Sequence, residues 1–210
     1  MKIAVLAASG KAGRLIVSEA LNKGLEVTAF VRDSKKANFD TSVCVVQKDI
    51  FKLESSDLQG FNVIIDAFGE WQNLILHKTH IEHLLTILVG NKAKFLVVGG
   101  AGSLYMDKSH TVMLMDTKDF PKEYLPLAKA TAEGLSVLRN AKELNWVYVS
   151  PAAVFIPDSL KSVKYKIIGE EFEVNSKGES QISYVDYASA MIEIALDSKY
   201  SKQRVGVIGL

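Results

Sequence analysis

The chain opens with MKIAVLAASGKAGRLIVSEALNKG, Met1 to Gly24, and this stretch decides the fold. Lys2–Ala7 is a short apolar run of strand type. Lys11–Lys23 then carries Leu15, Ile16, Ala20 and Leu21 at helical spacing and stops at Gly24, a helix terminator. Between the two lies a glycine turn, Ser9-Gly10-Lys11-Ala12-Gly13. Gly10 is expected to adopt a turn conformation that a side chain resists. Gly13 is expected to let the helix N-terminus come close to a phosphate. The N–H groups and dipole at that terminus favour an anion. Ala8, Ser9, Gly10, Lys11, Ala12 and Gly13 are therefore candidate pyrophosphate-binding residues.

The alternation continues outward. Strand-like runs fall at Glu26–Val31, Ser42–Gln47, Asn62–Ala67, Lys94–Val98 and Trp146–Ser150, with helical patterns at Asn73–Val89 and Lys122–Leu144. Short β-branched runs separated by helices suit a parallel sheet buried on both faces. Right-handed crossovers then give an α/β, doubly wound parallel sheet. After Pro151 the texture changes to two short strands, a turn at Ser176–Gly178, a helix from about Tyr184 and a last strand-like run at Arg204–Ile208. We expect one domain over 1–210, with 151–203 forming a small C-terminal lobe on the substrate side.

Composition narrows the function. With 48% apolar residues in 210, a core forms without disulfides or metal clips. A net charge of +1 with both signs interspersed gives no reason to expect nucleic acid or a membrane surface as partner. The single cysteine, Cys44, sits in SVCVV and is expected to be a small buried hydrophobe. It excludes an internal disulfide and suits a reducing, cytoplasmic setting. The opening apolar run is too short for a secretory signal, and no run reaches the length of a membrane span.

The stretches KIAVLAASGKAG and VTAFVRD, with LVVGGAGSLY, VSPAAVF and ISYVDYA further on, resemble the short-chain dehydrogenase/reductase superfamily. The similarity is to its atypical members: NADH-flavin reductase-like, biliverdin reductase B-like and NmrA-like proteins. It spans nearly the whole chain and implies a Rossmann fold. The family's Gly-x-x-Gly-x-x-Gly keeps its central pair here as Gly10 and Gly13. Ala7 replaces one glycine of the pattern, and Ile16 falls where its last glycine stands. Ala7 is small enough to be accepted, whereas Ile16 should shift the helix or fill a gap beneath it.

The resemblance also implies the cofactor and the chemistry. The acidic residue that selects NAD at the end of the second strand falls on Val31, followed by Arg32, whose fork of donors suits a 2′-phosphate. Lys35 and Lys36 follow, while Asp33 is placed either to pair with Arg32 or to face the ribose. NADP is the expected cofactor, with NAD the alternative. Asp49 and Ile50 match the adenine position. Ala67, Phe68 and Gly69 are expected along the pyrophosphate and nicotinamide ribose, and Pro151, Ala152 and Ala153 beside the nicotinamide, with Phe155 covering a flat substrate.

The catalytic candidates implied are Ser103, Lys129 and Tyr124. The superfamily tyrosine four residues before the lysine is Leu125 here, and Tyr124 is one helical step away. Tyr105 and His110 are alternative proton donors. A flavin, taken as substrate and not as a bound cofactor, needs stacking more than a strong acid. The expected function is therefore hydride transfer from NADPH to a small-molecule acceptor, a flavin or similar flat conjugated ring. The alternatives are a non-catalytic NmrA-like redox sensor and, further off, a nucleotide-sugar epimerase or dehydratase. His77, His80 and His83 stand at spacing three on one predicted helix, and we expect a partly solvated helix face there instead of a metal site.

Overall fold

A computed structural model describes residues 1–157, 162 and 164–210. Eight strands form one sheet in the order β3-β2-β1-β4-β5-β6-β10-β8. They are β1 (Lys2–Leu6), β2 (Glu26–Val31), β3 (Cys44–Gln47), β4 (Val63–Asp66), β5 (Lys94–Val98), β6 (Trp146–Ser150), β8 (Tyr165–Ile168) and β10 (Gln203–Gly209). All neighbours pair in parallel except β10 with β8. The order reverses between β1 and β4, where open α/β sheets bind ligands at the carboxyl ends of their strands.

Each central strand is buried on both faces because helices cover both. Ile3 and Val5 of β1 point into one core, with Ile16 and Val17 of α1 (Lys11–Asn22) and Met191 and Ile194 of α4 (Tyr184–Leu196). Ala4 and Leu6 point into the other, with Ile81 and Leu84 of α2 (Leu76–Ile87) and Leu135 and Leu138 of α3 (Leu125–Arg139). Ile16 is fully buried, so the side chain in place of a glycine fills the gap between α1 and the sheet.

Three expectations are corrected. Cys44 is exposed, because β3 is the sheet's edge and leaves Cys44, Val45 and Gln47 open to solvent. Of the two short strands expected in the C-terminal lobe, Tyr165–Ile168 instead joins the main sheet beside β10. Beyond the Ser176–Gly178 turn, β9 (Gln181–Ser183) pairs in parallel with β7 (Val154–Ile156). Positions 158–161 and 163 of the expected lobe lie outside the described residues.

The third correction concerns the glycine turn. Gly10 has φ −69° and ψ 166°, an ordinary extended conformation. The left-handed residue is Ala7, at φ 51°. Gly13 is buried, and a Cβ there would lie 2.8 Å from the Ala8 Cα and 2.9 Å from the Ala7 carbonyl oxygen. Its missing side chain therefore serves the packing of α1 on the strand end. Ala7→Gly should stabilise the fold by up to about 1 kcal/mol, since the left-handed strain outweighs the entropy of glycine. Gly13→Ala should cost about 1–3 kcal/mol by overpacking. Urea midpoints of the two variants check both signs.

Candidate functional site

A cavity of about 510 Å³ opens at the carboxyl ends of β1, β2, β3 and β4. Its floor is Leu6, Phe30, Leu53 and Leu76, and its rim carries Ser9, Gly10, Arg32, Lys48, Asp49 and Glu70. The strand ends are locked together by backbone bonds. Ala8 N–H donates to the Phe30 carbonyl (3.0 Å), Lys48 N–H to Val31 (2.9 Å) and Ala67 N–H to Leu6 (3.1 Å). The N-terminus of α1 has no side-chain cap and no acidic residue in its first turn. The Arg14 guanidinium folds back to the Ser9 carbonyl (2.9 Å) and steadies the loop.

Arg32 is exposed on the rim, and its charge helps to hold the Glu70 carboxyl below the usual carboxylate range. The larger cause is local: Glu70 accepts from the N–H groups of Gln72 (2.7 Å), Trp71 (2.9 Å) and Asn73 (3.3 Å). Asp33 pairs with neither Arg32 nor, among the described residues, any other side chain. It caps the short 3-10 turn at Ser34–Lys36 through Lys35 N–H (3.0 Å). Asp49 likewise caps the turn at Ile50–Lys52 through Phe51 N–H (2.9 Å). Lys48, which the sequence reading did not single out, reaches the cavity while bonded to Asp57 at 2.6 Å.

The histidines of α2 are not a solvated face. His77 and His80 are buried, because the helix lies against the loops that wall the cavity. His77 Nε2 donates to the Glu70 carbonyl (2.8 Å), His83 Nε2 to the Leu53 carbonyl (3.1 Å), and His80 Nε2 meets the Asp66 carboxylate at 2.9 Å. Each ring thus braces a segment at or beside the cavity. Among the described residues, no group of three or more potential ligands is gathered around a metal position.

The candidate residues divide into three groups. Ser9, Gly10, Arg32, Asp49, Ile50, Ala67, Phe68 and Gly69 converge on the cavity. Ala8, Lys11, Ala12 and Gly13 belong to the turn and helix start beneath it. Ser103, Tyr124, Lys129, Pro151, Ala152 and Ala153 do not line it. Tyr124 precedes α3 and is 50% exposed, and Lys129 is exposed on that helix. Ser103 is buried, because the loop after β5 packs hard against its neighbours. A Cβ on Gly99 would strike the Tyr148 ring at 2.2 Å, and Tyr148 Oη accepts from Gly100 N–H (3.0 Å).

The Ser103 hydroxyl accepts from Arg204 Nη1 at 3.4 Å. Arg204 is 1% exposed and pairs with Glu170 at 2.9 Å, a carboxylate that also takes Arg139. Its guanidinium lies 5.2 Å from the centre of the Tyr105 ring, and His110 stacks on that ring at 4.3 Å. Both alternative proton donors are therefore engaged in this network. Phe155 packs on Tyr184 and Tyr187. Ser150 Oγ, buried at the end of β6, has no hydrogen-bond partner among the described residues.

An uncapped helix start, an exposed arginine at the end of the second strand and a cavity at the strand-order reversal define a dinucleotide-binding Rossmann protein. The NAD(P)H-binding family model matches residues 7–198, and the chain belongs to that family. It is 40% identical over 210 residues to the uncharacterized protein YwnB of Bacillus subtilis, covering 99% of this chain and 98% of that one. A Streptococcus pneumoniae structure described as a putative NADH-flavin reductase is 46% identical, with TM-score 0.95 and full coverage of both chains. A Bacteroides thetaiotaomicron structure described as a putative epimerase is 35% identical, with TM-score 0.85 and coverage of 100% and 97%. No helix among the described residues is long and apolar enough to cross a membrane.

Burial holds His77 below the usual histidine range. A histidine kept neutral in the fold contributes stability that is complete above its unfolded value of about 6.5 and is lost as pH falls through the folded value. The urea midpoint should therefore fall between pH 7.5 and 5. His77→Gln, which keeps a donor for the Glu70 carbonyl, should show a smaller fall. Equal slopes would assign the acid sensitivity to other groups.

Proposed function

We propose that this chain is an NADPH-dependent reductase that passes a hydride to a flavin or a similarly flat conjugated acceptor in the cytoplasm. The observation that carries this reading is the contrast between a built dinucleotide cleft and an unbuilt carbonyl-reducing site. The cleft joins an uncapped helix N-terminus to an exposed arginine and an apolar floor. The acid constellation for a ketone would need a tyrosine where Leu125 begins α3, and Ser103 is buried against Arg204.

The residues present fit the dinucleotide. The start of α1 and Gly10 suit the pyrophosphate, with no acidic side chain in the first turn to repel it. Arg32 supports a 2′-phosphate, since its guanidinium makes no hydrogen bond or ion pair with the described residues and stands at the cleft rim. Asp49 and Ile50 bound the adenine end, while Ala67, Phe68 and Gly69 wall the opposite side. When bound, the dinucleotide supplies the hydride. The protein's share is orientation and the exclusion of water, and a flavin demands little more because its ring accepts hydride on stacking. The name of the Streptococcus pneumoniae relative supports the same acceptor class. An epimerase reading lacks the tyrosine at 125.

Fluorescence titration with NADPH and NADH, followed by NADPH oxidation with FMN, riboflavin or a quinone, tests the proposal. Arg32→Ala should weaken NADPH by about tenfold or more and leave NADH nearly unchanged, as loss of a charge-assisted bond requires. Equal affinities in the parent protein would remove the 2′-phosphate argument. Tight binding with no turnover of any flat acceptor, and no effect of Ser103→Ala, would favour a redox sensor.

A further inference from the structure

We propose that Asp66 and His80 are positioning residues for the dinucleotide cleft and that they act through Phe68. Asp66 is the last residue of β4 and is 1% exposed. Its Oδ1 accepts from the Phe68 backbone N–H at 3.0 Å, and its Oδ2 meets His80 Nε2 at 2.9 Å. His80 Nδ1 donates to the Leu76 carbonyl at 2.7 Å, since a carbonyl only accepts. The Nε2–Oδ2 contact is then closed by one further proton between ring and carboxylate. The His80 ring stacks on Phe68, with centroids 4.3 Å apart and planes 29° apart. One buried pair thus fixes both the backbone and the ring of Phe68.

Phe68 carries that order into the cavity. It lines the cleft and meets Phe51, another lining residue, edge-on at 6.3 Å. His80 and Asp66 stand behind Phe68 and do not line the cleft. His77 closes the group from the side, edge-on to Phe68 at 5.8 Å and to His80 at 6.3 Å. Leu76, whose carbonyl His80 holds, is a floor residue. The pair therefore clamps the end of β4 to the first turn of α2.

Stability alone gives a poor reason for such a pair. A buried ion pair or its polar equivalent contributes little compared with well-packed apolar residues of the same volume, because desolvation offsets the attraction. What it adds over an apolar filler is direction: two carboxylate oxygens and two ring nitrogens, each with one permitted partner. Here those directions set the height and tilt of an aromatic wall. The inference rests on the cleft as the dinucleotide site and is independent of which acceptor is reduced.

The test is a double-variant cycle on NADPH affinity, read by fluorescence, with folding monitored by circular dichroism and melting temperature. Phe68→Leu and His80→Gln should each weaken NADPH by about tenfold, and the doubly substituted protein should be no weaker than Phe68→Leu alone. Asp66→Asn keeps an acceptor for Phe68 N–H and a donor for His80, and should retain affinity that Asp66→Ala loses. In any acceptor assay, KM for NADPH should rise while kcat holds. Folded His80→Gln with parental affinity would overturn the proposal. So would losses that add in full, or a loss in melting temperature with affinity unchanged. Binding that follows this pattern without acceptor turnover would sustain the clamp and remove the reductase reading.

Discussion

The structure hangs on the close approach of α1 to the end of β1. Gly13 leaves no room for a Cβ against Ala8, so the helix enters with its N-terminus directly over the strand end. Ala7 turns the chain through a left-handed conformation to allow this, and Gly10 N–H then closes on the Ala7 carbonyl at 3.1 Å. Any retreat of the helix would displace Ile16 from the core and tilt the N–H groups away from the cavity. Packing and the direction of the uncapped N-terminus are therefore one constraint. The helix can direct its dipole into the cleft only because a side chain is missing beneath it.

The opposite wall is held by different means. The segment from Ala67 to Asn73 is an irregular connection, and a connection of that kind would ordinarily be mobile. Here three histidines on one helix face reach the Glu70 carbonyl, the Asp66 carboxylate and the Leu53 carbonyl. Glu70 gathers three successive N–H groups on its carboxylate. Polar side chains do for this wall what the sheet does for the first. Such contacts are directional, so they set orientation as well as proximity.

The parallel sheet was legible because its strands carry continuous apolar runs, and β2, β5 and β6 have the boundaries that the sequence predicts. The residues around the cavity were legible because strand ends in this fold converge at the reversal of strand order. What escaped was long-range or one-bond detail. Nothing local distinguishes His80, fourteen residues from its carboxylate, from a solvated histidine at the same helical spacing. Cys44 looked buried because an edge strand and a central strand share the same apolar texture. Ala7 and Gly10 exchanged their expected roles because backbone torsion is settled by the whole turn. Arg204 sits at the far end of the chain, 101 residues from the serine it meets.

Two halves of the sheet bear on the chemistry, and they are independently built. The β1–β4 half gathers the cavity and the uncapped start of α1, with Arg32 at its rim. The β5–β6 half holds Ser103 in a network in which Arg204 and Arg139 share Glu170 and Tyr105 lies beneath a guanidinium. Burying Arg204 demands that its donors be spent on fixed partners, and one of these is the hydroxyl that carbonyl chemistry would use. A change in the second half therefore need not reach the first: no side chain of the Ser103 network is among those that wall the cavity. A dinucleotide site can persist on this scaffold while its proton-donating partner is rebuilt. The chemistry that survives such a change is the kind that asks the protein for alignment before acidity.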